Sequence, residues 1–154
     1  MTPESQNEAV VRRFYDELWN DWQLDLADEI LSETLRFRGS LGTVCEGREA
    51  FRDYAKGVQA AFPDWHNGID EILATGDRVV TRMTWTGTHR GALGGVEPTG
   101  AQIQYPGAAF FRLSNGLIEE AWIVGDTQEL WRQLGMTHCF ETRKPPLSGG
   151  FLCG

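Results

Sequence analysis

Apolar residues in the first third of the chain recur at the three-to-four-residue spacing of one helix face. Val10, Val11, Phe14 and Leu18 predict a first helix running to about Trp19. Ser5-x-x-Glu8 has the form of a capping box at its start. Leu24–Leu31 predicts a second, shorter helix, and Leu35–Arg38 a short strand. Gly47 opens a third helix, with Phe51, Tyr54, Ala55, Val58 and Phe62 on one stripe. Pro63 ends it, because proline has no N–H to donate and clashes with the turn before it.

Beyond Pro63 the period shortens. His66–Ala74 and Arg78–His89 predict two strands joined by a Thr75-Gly76-Asp77 turn. Gly91, Gly94, Gly95, Pro98 and Gly100 form a flexible connection to a strand over Gln102–Leu113. Pro106 inside that strand marks a bulge or an edge. Ser114-Asn115-Gly116 is a tight hairpin turn into a last strand, and a short helix follows at about Thr127–Leu134. Helices first and antiparallel strands after predict an α+β layer fold, a curved sheet wrapped over three helices with a pocket at its mouth. No internal repeat is evident. Residues 1–135 read as one domain and 136–154 as an irregular tail.

Strict alternation along the last strand places Ile118, Glu120, Trp122, Val124 and Asp126 on one face. Acids beside Trp and Val describe an apolar pocket holding a proton-handling group. A carboxylate walled by aromatic rings has its charged form disfavoured, so its pKa rises toward working pH. Asp126 is also placed as a helix N-cap, since Asp126-x-x-Glu129 has capping-box form. Glu120 is placed either to orient a ligand hydroxyl or to pair with Arg82 or Arg112 across the sheet.

Composition narrows the partners. The chain has 154 residues, a formal net charge of −8 and no basic cluster interleaved with aromatics, which argues against nucleic acid and anionic membrane. No apolar run approaches the roughly 20 residues that span a membrane, and the N-terminus lacks the pattern of a signal peptide. Cys45, Cys139 and Cys153 are widely spaced and read as reduced thiols of a cytoplasmic protein, with a Cys139–Cys153 bridge as the alternative. No metal-ligand spacing, phosphate loop, dinucleotide fingerprint or nucleophile elbow is present, so neither a metal nor another cofactor is expected. Lys56 and Lys144 are the only lysines, and neither falls where Schiff-base chemistry would need it.

The run Gly116, Ile118, Glu120, Trp122, Asp126 and Gln133-Leu134-Gly135 resembles the closing signature of SnoaL-like polyketide cyclases, of the nuclear transport factor 2-like superfamily. Phe62-Pro63-Asp64 with His66, then Gly76-Asp77-Arg78-Val79-Val80, Arg82 and Gly87-Thr88-His89, and finally Pro98-Thr99-Gly100, follow in the family's order from about Glu8 to Gly135. The resemblance implies a cone-shaped α+β fold, a homodimer and a cofactor-free cyclase or isomerase closing a ring on a hydrophobic, polyketide-like substrate by an aldol step. It implies Asp126 as general acid/base; His66 matches a family position and is a candidate helper or a structural histidine, and Glu120, on the face of Asp126, is a second candidate helper.

The family's cyclases can carry a His on the strand before the hairpin. Here Gly107-Ala108-Ala109-Phe110-Phe111 has none, which leaves room for epoxide opening by an internal hydroxyl. A non-catalytic binding or dimerisation module is a further alternative. Candidate substrate contacts are Trp122, Tyr15, Trp19, Tyr54, Phe62, Trp65, Trp85, His89, Tyr105 and Phe110, among which the tyrosines offer hydroxyl donors to an enolate or epoxide oxygen. Val79, Thr81, Met83, Trp85 and the Ile103–Phe111 segment are the apolar surface expected to meet a second subunit.

Overall fold

The computed structural model describes residues 2–136. The tail from residue 137 on, Cys139 and Cys153 included, lies outside the described residues. Helix α1 spans Pro3–Arg13. Its capping box is Thr2 with Ser5 rather than Ser5 with Glu8: the Thr2 hydroxyl accepts the Ser5 N–H at 3.1 Å, and Ser5 Oγ accepts the Thr2 N–H at 3.1 Å. Pro3 sets this start, because the first helical position needs no N–H.

The helix then widens into a π turn over Phe14–Trp19, where the Asn20 N–H donates to the Tyr15 carbonyl at 2.9 Å. The wider turn puts Phe14, Tyr15, Leu18 and Trp19 all in the core. A 3-10 turn at Leu24–Leu26 leads to the short helix α2, Ala27–Ile30. Leu31 is therefore not helical; it begins strand β1, Leu31–Arg38. Strand β2, Val44–Glu46, is too short for its alternation to be read from sequence. Helix α3, Arg48–Ala61, starts at Gly47, whose left-handed backbone (φ 91°) is one that side chains disfavour. Then come β3 (His66–Thr75), β4 (Arg78–Thr88), β5 (Gln102–Ser114), β6 (Leu117–Gly125) and helix α4 (Thr127–Gln133).

The strands form one curved sheet in the order β2-β1-β6-β5-β4-β3. All pairings are antiparallel except β1 with β6, which is parallel, so the sheet is mixed. The architecture is α+β. Pro106 is tolerated inside β5 because β6 ends opposite Gly107; next to it only the Asp126 N–H reaches back, to the Pro106 carbonyl at 2.9 Å.

One sheet face is covered by the chain's own helices. Phe14 meets Phe51 of α3 and Phe111 of β5, each at 5.7 Å between ring centroids. Burying side chains of this size contributes about 1.5–3 kcal/mol each. Val79, Thr81, Met83 and Trp85, with Ile103, Tyr105, Ala109 and Phe111, are buried on this inner face. They are core, which corrects the expectation that they meet a second subunit. The large exposed apolar residues, Val44, Leu73, Phe110, Trp122 and Val124, lie on the opposite face.

The faces of β6 are set by a bulge. Arg112 pairs with Glu120 but Leu113 with Ile118, so Glu119 is an extra residue. Ile118 points inward before it; beyond it Ala121 and Ile123 are buried while Trp122 and Val124 are 42% and 40% exposed. Inserting one residue inverts the side-chain period. Ile118 and Trp122 therefore do not share a face, contrary to the strict alternation. Among the described residues, no helix is long and apolar enough to cross a membrane.

Candidate functional site

The pocket enclosed by the fold is aromatic and carries no charge in its walls. Phe14, Tyr15 and Trp19 come from the π turn, Phe37 from β1, and Gly39 and Ser40 from the residues just after it. Tyr54 and Val58 come from α3, Trp65 precedes β3, and Asn67, Trp85 and Ile123 come from β3, β4 and β6. The space is a narrow cleft: about 30 Å³ is free inside it, and about 340 Å³ when it is counted out to its open mouth. Among the described residues, no Asp, Glu, His, Lys or Arg lines it.

Glycines make room for the rings. A side chain at Gly39 would run into the Tyr54 hydroxyl, with the ring carbon behind it 2.8 Å away. Gly107 and Gly125 are cross-strand partners behind Trp85 and Tyr105. A Cβ on Gly107 would fall on the Trp85 ring, and one on Gly125 would lie 3.0 Å from Tyr105. The rings of Trp85 and Tyr105 sit 5.3 Å apart, and Tyr54 packs against Phe37 at 5.2 Å.

Polar groups of the pocket are neutral. Ser40 Oγ and the Tyr105 hydroxyl share a hydrogen bond at 3.2 Å. The Trp85 indole N–H donates to Asn67 Oδ1 at 2.9 Å. The Tyr54 hydroxyl enters no hydrogen bond among the described residues. Burial raises the pKa of Tyr15 and Tyr54 and pushes that of Tyr105 up to about 12. All three phenols are therefore protonated at neutral pH and available as O–H donors. Trp19 Nε1 is buried with no partner among the described residues. Trp22, which packs edge-on against Trp19, is itself held in a left-handed backbone (φ 59°).

The residues singled out from sequence divide sharply. Tyr15, Trp19, Tyr54, Trp65 and Trp85 line the pocket. Tyr105 is buried and reaches it through Ser40. Phe62 lies one layer back, 5.3 Å from Trp65 and 5.5 Å from His89. His89 is neither exposed nor at the mouth: it is fully buried, and its Nδ1 accepts the Thr99 N–H at 3.1 Å. Burial lowers its pKa.

The expected acids stand outside. Asp126 is exposed and is the N-cap of α4, its Oδ1 accepting the Glu129 N–H at 3.1 Å. Glu120 faces Arg112 at 3.8 Å on the outer sheet face. His66 is exposed at the start of β3. Trp122 and Phe110 are neighbours on that outer face, and the Arg38 guanidinium sits 4.9 Å over the Trp122 ring. The placement corrects the reading of Asp126, Glu120, His66, Trp122 and Phe110 as pocket residues. For Glu120 and Trp122 the cause is the bulge at Glu119. Asn67 was missed, although it alternates with Ile69 on the inner side of β3; Gly39 and Ser40 leave no periodic signal.

A mixed sheet over helices that enclose an aromatic cleft places the chain in the α+β class. The chain belongs to the SnoaL-like polyketide cyclase family, whose model matches residues 9–134. It is similar to a SnoaL-like polyketide cyclase of Jannaschia sp. CCS1, with 26% identity over 95% of this chain and 98% of that one, and a TM-score of 0.79. AclR of Streptomyces galilaeus, assigned as a hydroxylase, shares 25% identity over 95% and 91%, with a TM-score of 0.75. IdmH of Streptomyces antibioticus, assigned as a polyketide cyclase, shares 27% over 84% and 99%, with a TM-score of 0.74. All three are cyclase or hydroxylase by assignment only. No curated protein sequence matches this chain.

Proposed function

We propose that this protein is a ring-forming enzyme that folds a hydrophobic, polyketide-type secondary metabolite in the aromatic cleft and activates it with neutral donors. The observation that carries this is the pocket's composition: hydroxyls and an amide converge between indole and phenol rings, and among the described residues no carboxylate lines the cleft. Holding a flexible chain in a ring-closing conformation removes much of the entropic barrier. A donor at the oxygen that gains negative charge lowers the remainder. Tyr54, with its free hydroxyl, is the foremost donor, and the Ser40–Tyr105 pair the second.

This donor set favours ether formation by epoxide opening over an aldol closure. In the former, an internal hydroxyl oxygen bonds to an epoxide carbon, the C–O bond breaks, the phenol's proton passes to the departing oxygen, and the phenolate so formed takes the proton that the attacking hydroxyl releases. The acid is needed first, and a phenol supplies it. An aldol closure needs a base at carbon, and among the described residues the pocket walls hold no carboxylate or imidazole.

Matched epoxy-alcohol and polyketone substrates, given to wild type, Tyr54→Phe and Asp126→Asn, test the proposal. Turnover of the epoxy-alcohol that falls about 100-fold in Tyr54→Phe and survives Asp126→Asn supports it. Loss confined to Asp126→Asn restores the carboxylate mechanism implied by the family resemblance.

The positions of Asp126, Glu120 and His66 outside the cleft favour a second reading, a non-catalytic binding module. It predicts tight ligand binding with no turnover of either substrate. The assembly proposed is a homodimer through the outer sheet face, where Phe110, Trp122 and Val124 are exposed.

A further inference from the structure

We propose that Asn67 recognises an acceptor oxygen of the ligand through the one amide hydrogen that its network leaves free. This rests on the aromatic cleft being the ligand site. Asn67 lines the cleft and is 3% exposed.

The orientation of its amide follows from its neighbours. An indole N–H can only donate, so the Asn67 atom 2.9 Å from Trp85 Nε1 is the oxygen. The nitrogen is then the other branch, and it donates to Asn20 Oδ1 at 3.1 Å. Asn20 is held in turn: its Oδ1 also accepts the Asn67 backbone N–H at 2.9 Å, and its Nδ2 donates to the Asn67 carbonyl at 2.9 Å. Turning either amide over would set oxygen against oxygen or donor against donor.

An amide nitrogen carries two hydrogens, and only one is used here. Among the described residues the second has no partner. Buried donors are normally satisfied, so a ligand oxygen is the missing acceptor. The donor is also preorganised. Asn20 closes the π turn that carries Tyr15 and Trp19, while Trp85 forms the opposite wall. One network thus ties two walls of the cleft to the donor between them. The ligand class it selects is a flat hydrophobic molecule bearing a carbonyl, ether or hydroxyl oxygen beside the ring that stacks near Trp85.

The test uses 2-acetylnaphthalene and 2-ethylnaphthalene, alike in shape and different in one oxygen, titrated by calorimetry into the full chain. Wild type is expected to bind the ketone about tenfold more tightly, the scale of one satisfied hydrogen bond. Asn67→Asp keeps the acceptor for Trp85 and removes both amide hydrogens. It should lose the ketone preference and keep its affinity for the hydrocarbon. Should that variant fail to fold, the side-chain amide resonances of Asn67 in wild type give the same reading, shifting with the ketone and not with the hydrocarbon. Equal wild-type affinities, a preference that survives Asn67→Asp, or unmoved amide resonances would overturn the proposal. Val58→Trp, which fills the cleft, should abolish binding of both probes. Binding that persists in Val58→Trp, or no binding to wild type, overturns the cleft as the ligand site and the Asn67 proposal with it.

Discussion

The Asp126 carboxylate accepts the backbone N–H of Glu129 at 3.1 Å and so closes the first turn of α4. Asparagine caps helices as well as aspartate does, while alanine does not. Asp126→Asn is therefore expected to unfold at the wild-type denaturant midpoint, and Asp126→Ala to lose about 0.5–2 kcal/mol. Turnover of the epoxy-alcohol should be unchanged in the Asn variant. A drop of 100-fold or more, with the fold intact, would return Asp126 to the chemistry.

Two glycines separate pocket space from helix propensity. Gly39→Ala drives a methyl into the Tyr54 hydroxyl. Overpacking of this kind costs about 1–3 kcal/mol, and displacing Tyr54 should weaken ligand binding as well. Gly57 lies within α3, is exposed, and would meet nothing within 4 Å. Gly57→Ala should stabilise the protein by about 0.5–1 kcal/mol through helix propensity, with ligand affinity unaltered. Paired denaturation and binding curves check both; a destabilised Gly57→Ala would show that α3 does not tolerate the methyl.

His89 makes stability depend on pH. Burial holds its pKa below the usual histidine value, and its Nδ1 is occupied by the Thr99 N–H. The unfolded chain titrates near the ordinary value of about 6.5, so between the two values the unfolded state binds the extra proton. The contribution is fully present above about pH 6.5 and is lost as pH falls from there toward the folded value. Asp64, bonded to Thr88 next to His89, has a lowered pKa, so its own loss falls in the more acidic carboxylate range. Denaturant midpoints of wild type and His89→Gln between about pH 5 and pH 8 should converge at the acid end. Parallel curves would exclude His89 as the source.

The outer face of β5 and β6 should govern assembly. Phe110 and Trp122 face each other across the strands, 48% and 42% exposed, with Arg38 over the indole. Wild type is expected to sediment as a dimer at micromolar concentration and Trp122→Glu as a folded monomer. A monomeric wild type, or a dimeric Trp122→Glu, would place the interface elsewhere or remove it.

Alternation and turn residues in the sequence locate β3 to β6 within one or two residues, and Pro63 and Gly47 bracket α3. Ordered motif blocks carry the family, because they sit on those same strands and turns. Aromatics on regular segments (Tyr15, Trp19, Tyr54, Trp85) are legible as pocket candidates, since a period assigns them a side. Asp126 is legible as a helix cap for the same local reason: its partner is three residues away.

What depends on distant pairing is not written in local periodicity. The parallel junction of β1 with β6 joins strands far apart in the chain. The extra residue at Glu119 exists only relative to the partner strand, yet it turns Trp122 outward and Ile123 inward. The same holds for the cleft. Asn67 is one polar residue in a strand until Trp85 and Asn20, brought from other elements, fix its amide and leave one hydrogen without a partner among the described residues. Short-range hydrogen bonds and side-chain periods are local in sequence and survive being read one residue after another; register and convergence are relations between segments, and only the assembled chain sets them.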